Sequence, residues 1–240
     1  MQHTLQPAAR KSFTLTTLSQ SIRGATLAKL LVVGLGVGLV GGCATHADIQ
    51  MPLIEKVARA DWQGKHFRHE VYYSQPRPGI FTGGDQLPLV PIKSAQLSVA
   101  SATTLQKLPE ILGKNLPQGA VSGGAGDYDY LLEIELVAHD KKGPTYADFE
   151  AMKSFGKKML SLGLASSEYD IIADFDVTYR LKDKAGAVLH ERDYRVKDSV
   201  DHERGDFESL NTAHDYAAQL LEKHINLTVG EFLQEVPGRG

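Results

Sequence analysis

Cysteine is almost absent: Cys43 is the single one in 240 residues. One thiol excludes an internal disulfide framework. A membrane-spanning run is missing too. The uninterrupted apolar stretch Leu30 to Val40 is well short of the roughly 20 residues that cross a bilayer. Positive charge is not in excess, with 26 Lys+Arg against 29 Asp+Glu and a formal net charge of −3. That balance offers no means of gripping nucleic acid, whose binding rests on neutralising phosphates.

Signatures of catalysis are equally scarce. There is no Gly-x-Ser-x-Gly elbow. The run Ser122-Gly-Gly-Ala-Gly126 lacks the lysine and spacing of a phosphate loop and reads as a turn. His66 and His69, three apart in a predicted strand, point to opposite faces and make no metal pair. Asp201-His202-Glu203 with Asp206 lacks the alternating spacing of a calcium loop and reads as a polar lead-in to a helix. Asp170, Asp174 and Asp176 share the solvent side of a strand, where nothing pushes their pKa values apart for acid–base work. His214 and His224 lie on the last helix, where surface or boundary positions explain them. No catalytic residue, metal ligand or cofactor is predicted.

What is present begins at the N-terminus. Residues 1–29 hold Arg10, Lys11, Arg23 and Lys29 and no acidic residue; the apolar stretch follows, then Gly41-Gly42-Cys43. Basic region, short apolar region and small residues are the parts of a secretory signal. Val40-Gly41-Gly42-Cys43 resembles the lipobox of bacterial lipoproteins. The resemblance implies a signal peptide over 1–42, cleavage between Gly42 and Cys43, and a diacylglyceryl thioether and an N-acyl chain on Cys43. Two or more acyl chains anchor a protein stably, at about 0.8 kcal/mol per buried methylene. Ala44, rather than aspartate, follows Cys43; by the family's sorting rule this favours the outer membrane, facing the periplasm, over the inner membrane. The leader removes four basic residues, leaving 198 residues with a formal charge of −7.

Residues 43–50 read as a lipidated tether and 51–236 as one domain, with 237–240 a disordered tail. Met51 to Ala60 suggests one or two helical turns, and His66 to Tyr73 a strand. Seven prolines and glycines from Ser74 to Pro91 predict an irregular arm. Gln96–Ala100 reads as a short strand, and Thr103 or Thr104 as the cap of a helix to Leu116. Strict alternation predicts strands over 128–139 and 169–181, joined after the loop 182–186 to a return strand reaching about Lys197. A final helix, 207–236, starts from Asp206 as its cap. Polar residues on one side of every clear strand predict an α+β two-layer sandwich, an antiparallel sheet with helices on one face. This outline resembles the small periplasmic lipoproteins that assist envelope transport and assembly.

The spacing of Tyr146, Phe149, Met152, Phe155, Met159 and Leu162 predicts an amphipathic helix over 144–163, inserted between two strands. Its Met/Phe face suits an adaptable interface, so Phe149, Met152, Phe155 and Met159 are the candidate partner-binding residues, with packing on the sheet as the alternative. The functional expectation is a non-enzymatic lipoprotein held to the membrane through Cys43 and binding an envelope component. A periplasmic hydrolase with scattered site residues and a structural lipoprotein without a ligand are the alternatives.

Overall fold

The structure is a computed structural model and describes residues 47–79, 84–149, 167–204 and 209–238. Its centre is the alternating segment that the sequence marks most clearly. Ile171, Ala173, Phe175, Val177, Tyr179 and Leu181 point to one side and are fully buried. The strand they form, Ser167–Asp183, is hydrogen-bonded along almost its whole length to Val188–Arg204, through a loop that needs Gly186 at φ +83°. In that loop Asp183 accepts the N–H groups of Ala185 and Ala187, both at 3.0 Å.

In chain order the strands are β1 (His66–Ser74), β2 (Val90–Pro91), β3 (Val121–Ser122), β4 (Tyr130–Ala138), β5 (Thr145–Phe149), β6 (Ser167–Asp183) and β7 (Val188–Arg204). The helices are α1 (Val99–Leu105), α2 (Leu108–Lys114) and α3 (Leu210–Glu235), with 3-10 turns at Ala60–Trp62 and Ile92–Ser94. One seven-stranded sheet results, and the helices supply its second layer. The α+β two-layer expectation therefore describes the molecule. Direction is the correction: β1 runs parallel to β4, Phe67 opposite Tyr130 through Ser74 opposite Val137, so the sheet is mixed. The crossover between them carries α1 and α2, as a parallel connection requires.

Alternation in β4 is complete, with Tyr130, Leu132, Ile134, Leu136 and Ala138 buried and the intervening residues half-buried. α3 lies over this apolar face, its Ala217, Leu220, Leu221, Ile225, Val229 and Phe232 buried against the sheet. Tyr179 stacks obliquely on Phe232 at 5.4 Å between centroids, and its hydroxyl meets Thr228 Oγ1 at 2.9 Å. At one end Trp62 closes the core edge-on against Phe67, with Arg59 over its indole at 4.1 Å.

Four local expectations are corrected. Met51 to Arg59 is irregular, and the 3-10 turn follows it. Gln96–Ala100 is no strand; Ser98 caps α1, its hydroxyl accepting the Ser101 N–H at 3.0 Å, so the cap is neither Thr103 nor Thr104. Residues 201–204 continue β7 instead of breaking it. Ser209, not Asp206, caps α3. Among the described residues no helix is long and apolar enough to cross a membrane.

The predicted helix 144–163 is corrected over its first residues, and 150–163 lie outside the described residues. Thr145–Phe149 is a strand, β5, paired with Ala173 down to Tyr169 of β6. β4 pairs with the next stretch of the same β6 edge, so β4 and β5 are one long strand interrupted by a loop. The interruption is bracketed by two bonds from a single β6 residue: Asp174 C=O accepts from His139 at 3.1 Å, and its N–H donates to Pro144 C=O at 2.9 Å.

Candidate functional site

Two places gather polar side chains out of water. The first is built where the 140–143 loop, the end of β1 and the start of α1 meet. Ser98 and Ser101 hydroxyls both donate to Lys142 C=O, at 2.6 and 3.1 Å. Gln75, 1% exposed, receives Tyr73 Oη at 2.7 Å and Ser101 Oγ at 2.6 Å on its side-chain oxygen. The fit leaves no room for a side chain at 143. Gly143 sits at φ +128°, and a Cβ there would lie 2.3 Å from Ser101 Oγ.

The proline-rich arm folds back onto the same region. Arg77 N–H bonds Asp85 C=O, Leu87 N–H bonds Gln75 C=O, and β2 pairs with β1. Gln86 donates to Ser74 Oγ at 2.6 Å. A cleft of about 190 Å³ opens between arm and body, lined by Tyr73, Gln75, Leu87, Val90 and Ser94 among others. Its chemistry is hydrogen bonding. Burial pushes the Tyr73 phenol well above its usual range, so it stays protonated. The hydrogen bonds of Ser101 run to serine, glutamine, tyrosine and carbonyl oxygens, none of which is a base for nucleophilic work.

The second place lies at the far end of the sheet. Phe149, the last residue of β5, is opposite Tyr169 of β6, and Tyr169 is opposite His202 of β7. His202 is 2% exposed and its ring centroid is 4.7 Å from that of Tyr216 on α3. Its Nδ1 accepts the backbone N–H of Ala47 at 3.1 Å. The beginning of the described chain, the end of β5 and the end of β7 therefore meet at one level of the sheet.

The solvent side of the sheet is a lattice of opposite charges. Arg180 pairs with Glu133 at 3.2 Å and Glu191 at 2.9 Å, and also with Glu135. Lys182 reaches Glu133 at 2.8 Å. The predicted acidic stripe lies on this face: Asp174 and Asp176 pair with Arg195, and Asp176 with His139 at 2.9 Å. On the helix side, burial alone would raise the Asp198 carboxyl, but hydrogen bonds from Lys223 and His224 outweigh it and hold it below the usual range. His66 pairs outward with Asp129, while His69 lies on the opposite face in register with Leu132.

Of the sequence-predicted site residues, Gly42, Cys43, Met152, Phe155 and Met159 lie outside the described residues. Phe149 is placed, as the end of a strand rather than a helix position. Asp206 also lies outside them. His202, which the sequence places in a polar lead-in, is instead buried. Its partner is 155 positions away, and no local pattern announces it. Gln75 and Ser101 escape a sequence reading for the same reason, since each is one of several polar residues in its stretch.

A mixed, helix-backed α+β sheet with a strand-end terminus is the class that these elements define. No protein-family model matches the chain, and no curated protein matches it. Among solved structures it is similar to a Xanthomonas campestris protein of the family DUF330, at 12% identity, covering 78% of this chain and 95% of that one with a TM-score of 0.35. It is similar to a minor lipoprotein of Acinetobacter baumannii at 12% identity, with 70% and 91% covered and a TM-score of 0.33. A candidate lipoprotein of Caulobacter crescentus follows at 17% identity, with 59% and 88% covered and a TM-score of 0.27. The TM-scores are all low, and the likenesses are loose.

Proposed function

We propose that this chain is a non-enzymatic lipoprotein of the bacterial envelope. Its signal peptide, 1–42, is removed between Gly42 and Cys43; Cys43 carries the lipid, and the domain faces the periplasm from the outer membrane. There it binds a protein or lipid component of an envelope transport or assembly machine. The lipobox-like Val40-Gly41-Gly42-Cys43 supports the anchor.

The observation that carries the binding reading is the row Phe149–Tyr169–His202 with Ala47 bonded to its end. Ala47 lies four positions after Cys43, at most about 14 Å of chain. β5 ends at Phe149, on the level of Ala47, and Met152, Phe155 and Met159 follow it in the sequence. A Met- and Phe-rich sequence in a lipid-anchored chain suits an adaptable contact at the membrane surface.

The test is a mild-detergent pull-down of the lipidated protein from its native membranes, with co-purifying species identified by mass spectrometry. A stoichiometric envelope partner that is lost in a Phe155→Asp/Met159→Asp variant supports the reading. A protein that comes down alone, with its lipid, contradicts the binding role.

A further inference from the structure

β7 is an edge strand of 17 residues, about 55 Å of extended chain, and holds neither proline nor glycine. Among the described residues its only strand partner is β6. An edge of that length is usually blunted by proline, bulges, brevity or charged side chains, because its free N–H and C=O groups template another strand, and along its middle β7 relies on charge alone. Here the middle of the edge is intact, the register shift falling at its start, between Leu181 and Lys182 of the partner strand.

The charges along this edge are complementary to themselves. Around Tyr194 the sequence reads His190-Glu-Arg-Asp-Tyr194-Arg-Val-Lys-Asp198. Placed antiparallel to a second β7 about Tyr194, Asp193 falls opposite Arg195, Glu191 opposite Lys197, and His190 opposite Asp198. Symmetry doubles each pair. A slip of the centre by one residue sets Asp193 against its own copy in one direction and Arg195 against its own copy in the other. Opposite charges directly across a strand pair stabilise it, and like charges oppose it. Of these registers only the one about Tyr194 sets the outward charges Glu191, Asp193, Arg195 and Lys197 opposite charges of the other sign.

Two further observations agree. Lys197 makes no ion pair among the described residues, although it is exposed beside a lattice of satisfied charges. Tyr194 itself faces the core side of the sheet, opposite Val177 and edge-on to Tyr179 at 5.8 Å between centroids, so no charge lies on the axis. The core-facing charges of the edge do not obstruct the pairing. Arg192 is held by Glu231 at 3.0 Å, and Asp198 by Lys223 at 3.0 Å, both on α3.

We infer that two copies of this chain pair β7 to β7, antiparallel, with Tyr194 on the two-fold axis, joining two sheets into one. The contact is isologous, as a closed dimer requires. The experiment measures the mass of the full-length protein in mild detergent by sedimentation, for the parent chain and three variants. The parent is expected to be a dimer. Lys197→Glu and Glu191→Lys each set like charges across the axis twice and should raise the dissociation constant at least tenfold, with thermal unfolding of the monomer preserved. The double exchange Glu191→Lys/Lys197→Glu restores opposite pairing and should return the dimer. A monomeric parent overturns the proposal, including the case in which the edge serves a different protein. So does a dimer that Lys197→Glu leaves untouched.

Discussion

The backbone N–H of Ala47 donates to Nδ1 of His202, 3.1 Å away and 155 positions further along the chain. That one bond ties the start of the domain to the end of its longest edge strand. It also requires a neutral imidazole with Nδ1 unprotonated.

His202→Ala removes the acceptor and the ring packed against Tyr216. Together, the stranded N–H and the cavity should cost about 2–4 kcal/mol. His202→Asn keeps an acceptor at the same place and should recover part of this. Denaturant unfolding gives the magnitude, and limited proteolysis within 47–59 should accelerate in the alanine variant alone.

Gly143→Ala should be among the most damaging single methyl additions in the domain. A positive φ and a contact of 2.3 Å to Ser101 Oγ act together, and strain of this kind costs about 1–3 kcal/mol before the clash is counted. Removing the hydroxyl in Gly143→Ala/Ser101→Ala should restore some stability, although Ser101→Ala alone destabilises by breaking the Gln75 network. A thermal melt of the three variants checks the crossing signs.

The strand pattern was legible because burial on one face of β4 and β6 imposes an alternation that no helix produces. Thr145–Phe149 was not. Tyr146 and Phe149 are three apart, as a helix would place them, while the inward residues of β5, Thr145 and Ala147, are too small to signal a buried face. The end of β7 reads as polar because its outward residues meet water and its buried member is a histidine. Strand direction was hidden for a different reason: facing one core demands the same alternation whether β1 runs with β4 or against it. The buried hydrogen-bond cluster has no sequence signal, since Gln75, Ser101 and Lys142 converge only in the folded chain.

Acidification should weaken the fold below about pH 6.5. Burial holds both His69 and His224 below their ordinary value; for His224 the bond to Asp198 opposes this without reversing it. The unfolded chain then binds more protons as pH falls from the unfolded value towards the folded one, so stability drops across that window and is complete above it. His69→Asn/His224→Asn should flatten the slope of unfolding free energy between about pH 7 and 5. An unchanged slope would mean that other groups carry it. Loss of Asp198's partnership with Lys223 and His224 should add a second decline only near about pH 4 and below.

Phe155→Asp with Met159→Asp should leave the unfolding transition of the domain within about 0.5 kcal/mol of the parent, the range of substitutions away from a core. Circular dichroism during heating measures this on the same preparations used for the pull-down. A transition lowered by several kcal/mol would place these residues in the core and withdraw them as contacts.

The most direct test of the central claim is mass spectrometry of the N-terminal peptide from protein extracted out of its native membranes. The account predicts a chain that begins at Cys43 and carries a thioether-linked diacylglyceryl group and an amide-linked acyl chain, with no residue before it. A chain that retains residues upstream of Cys43, or begins there with a free thiol and no lipid, would contradict it.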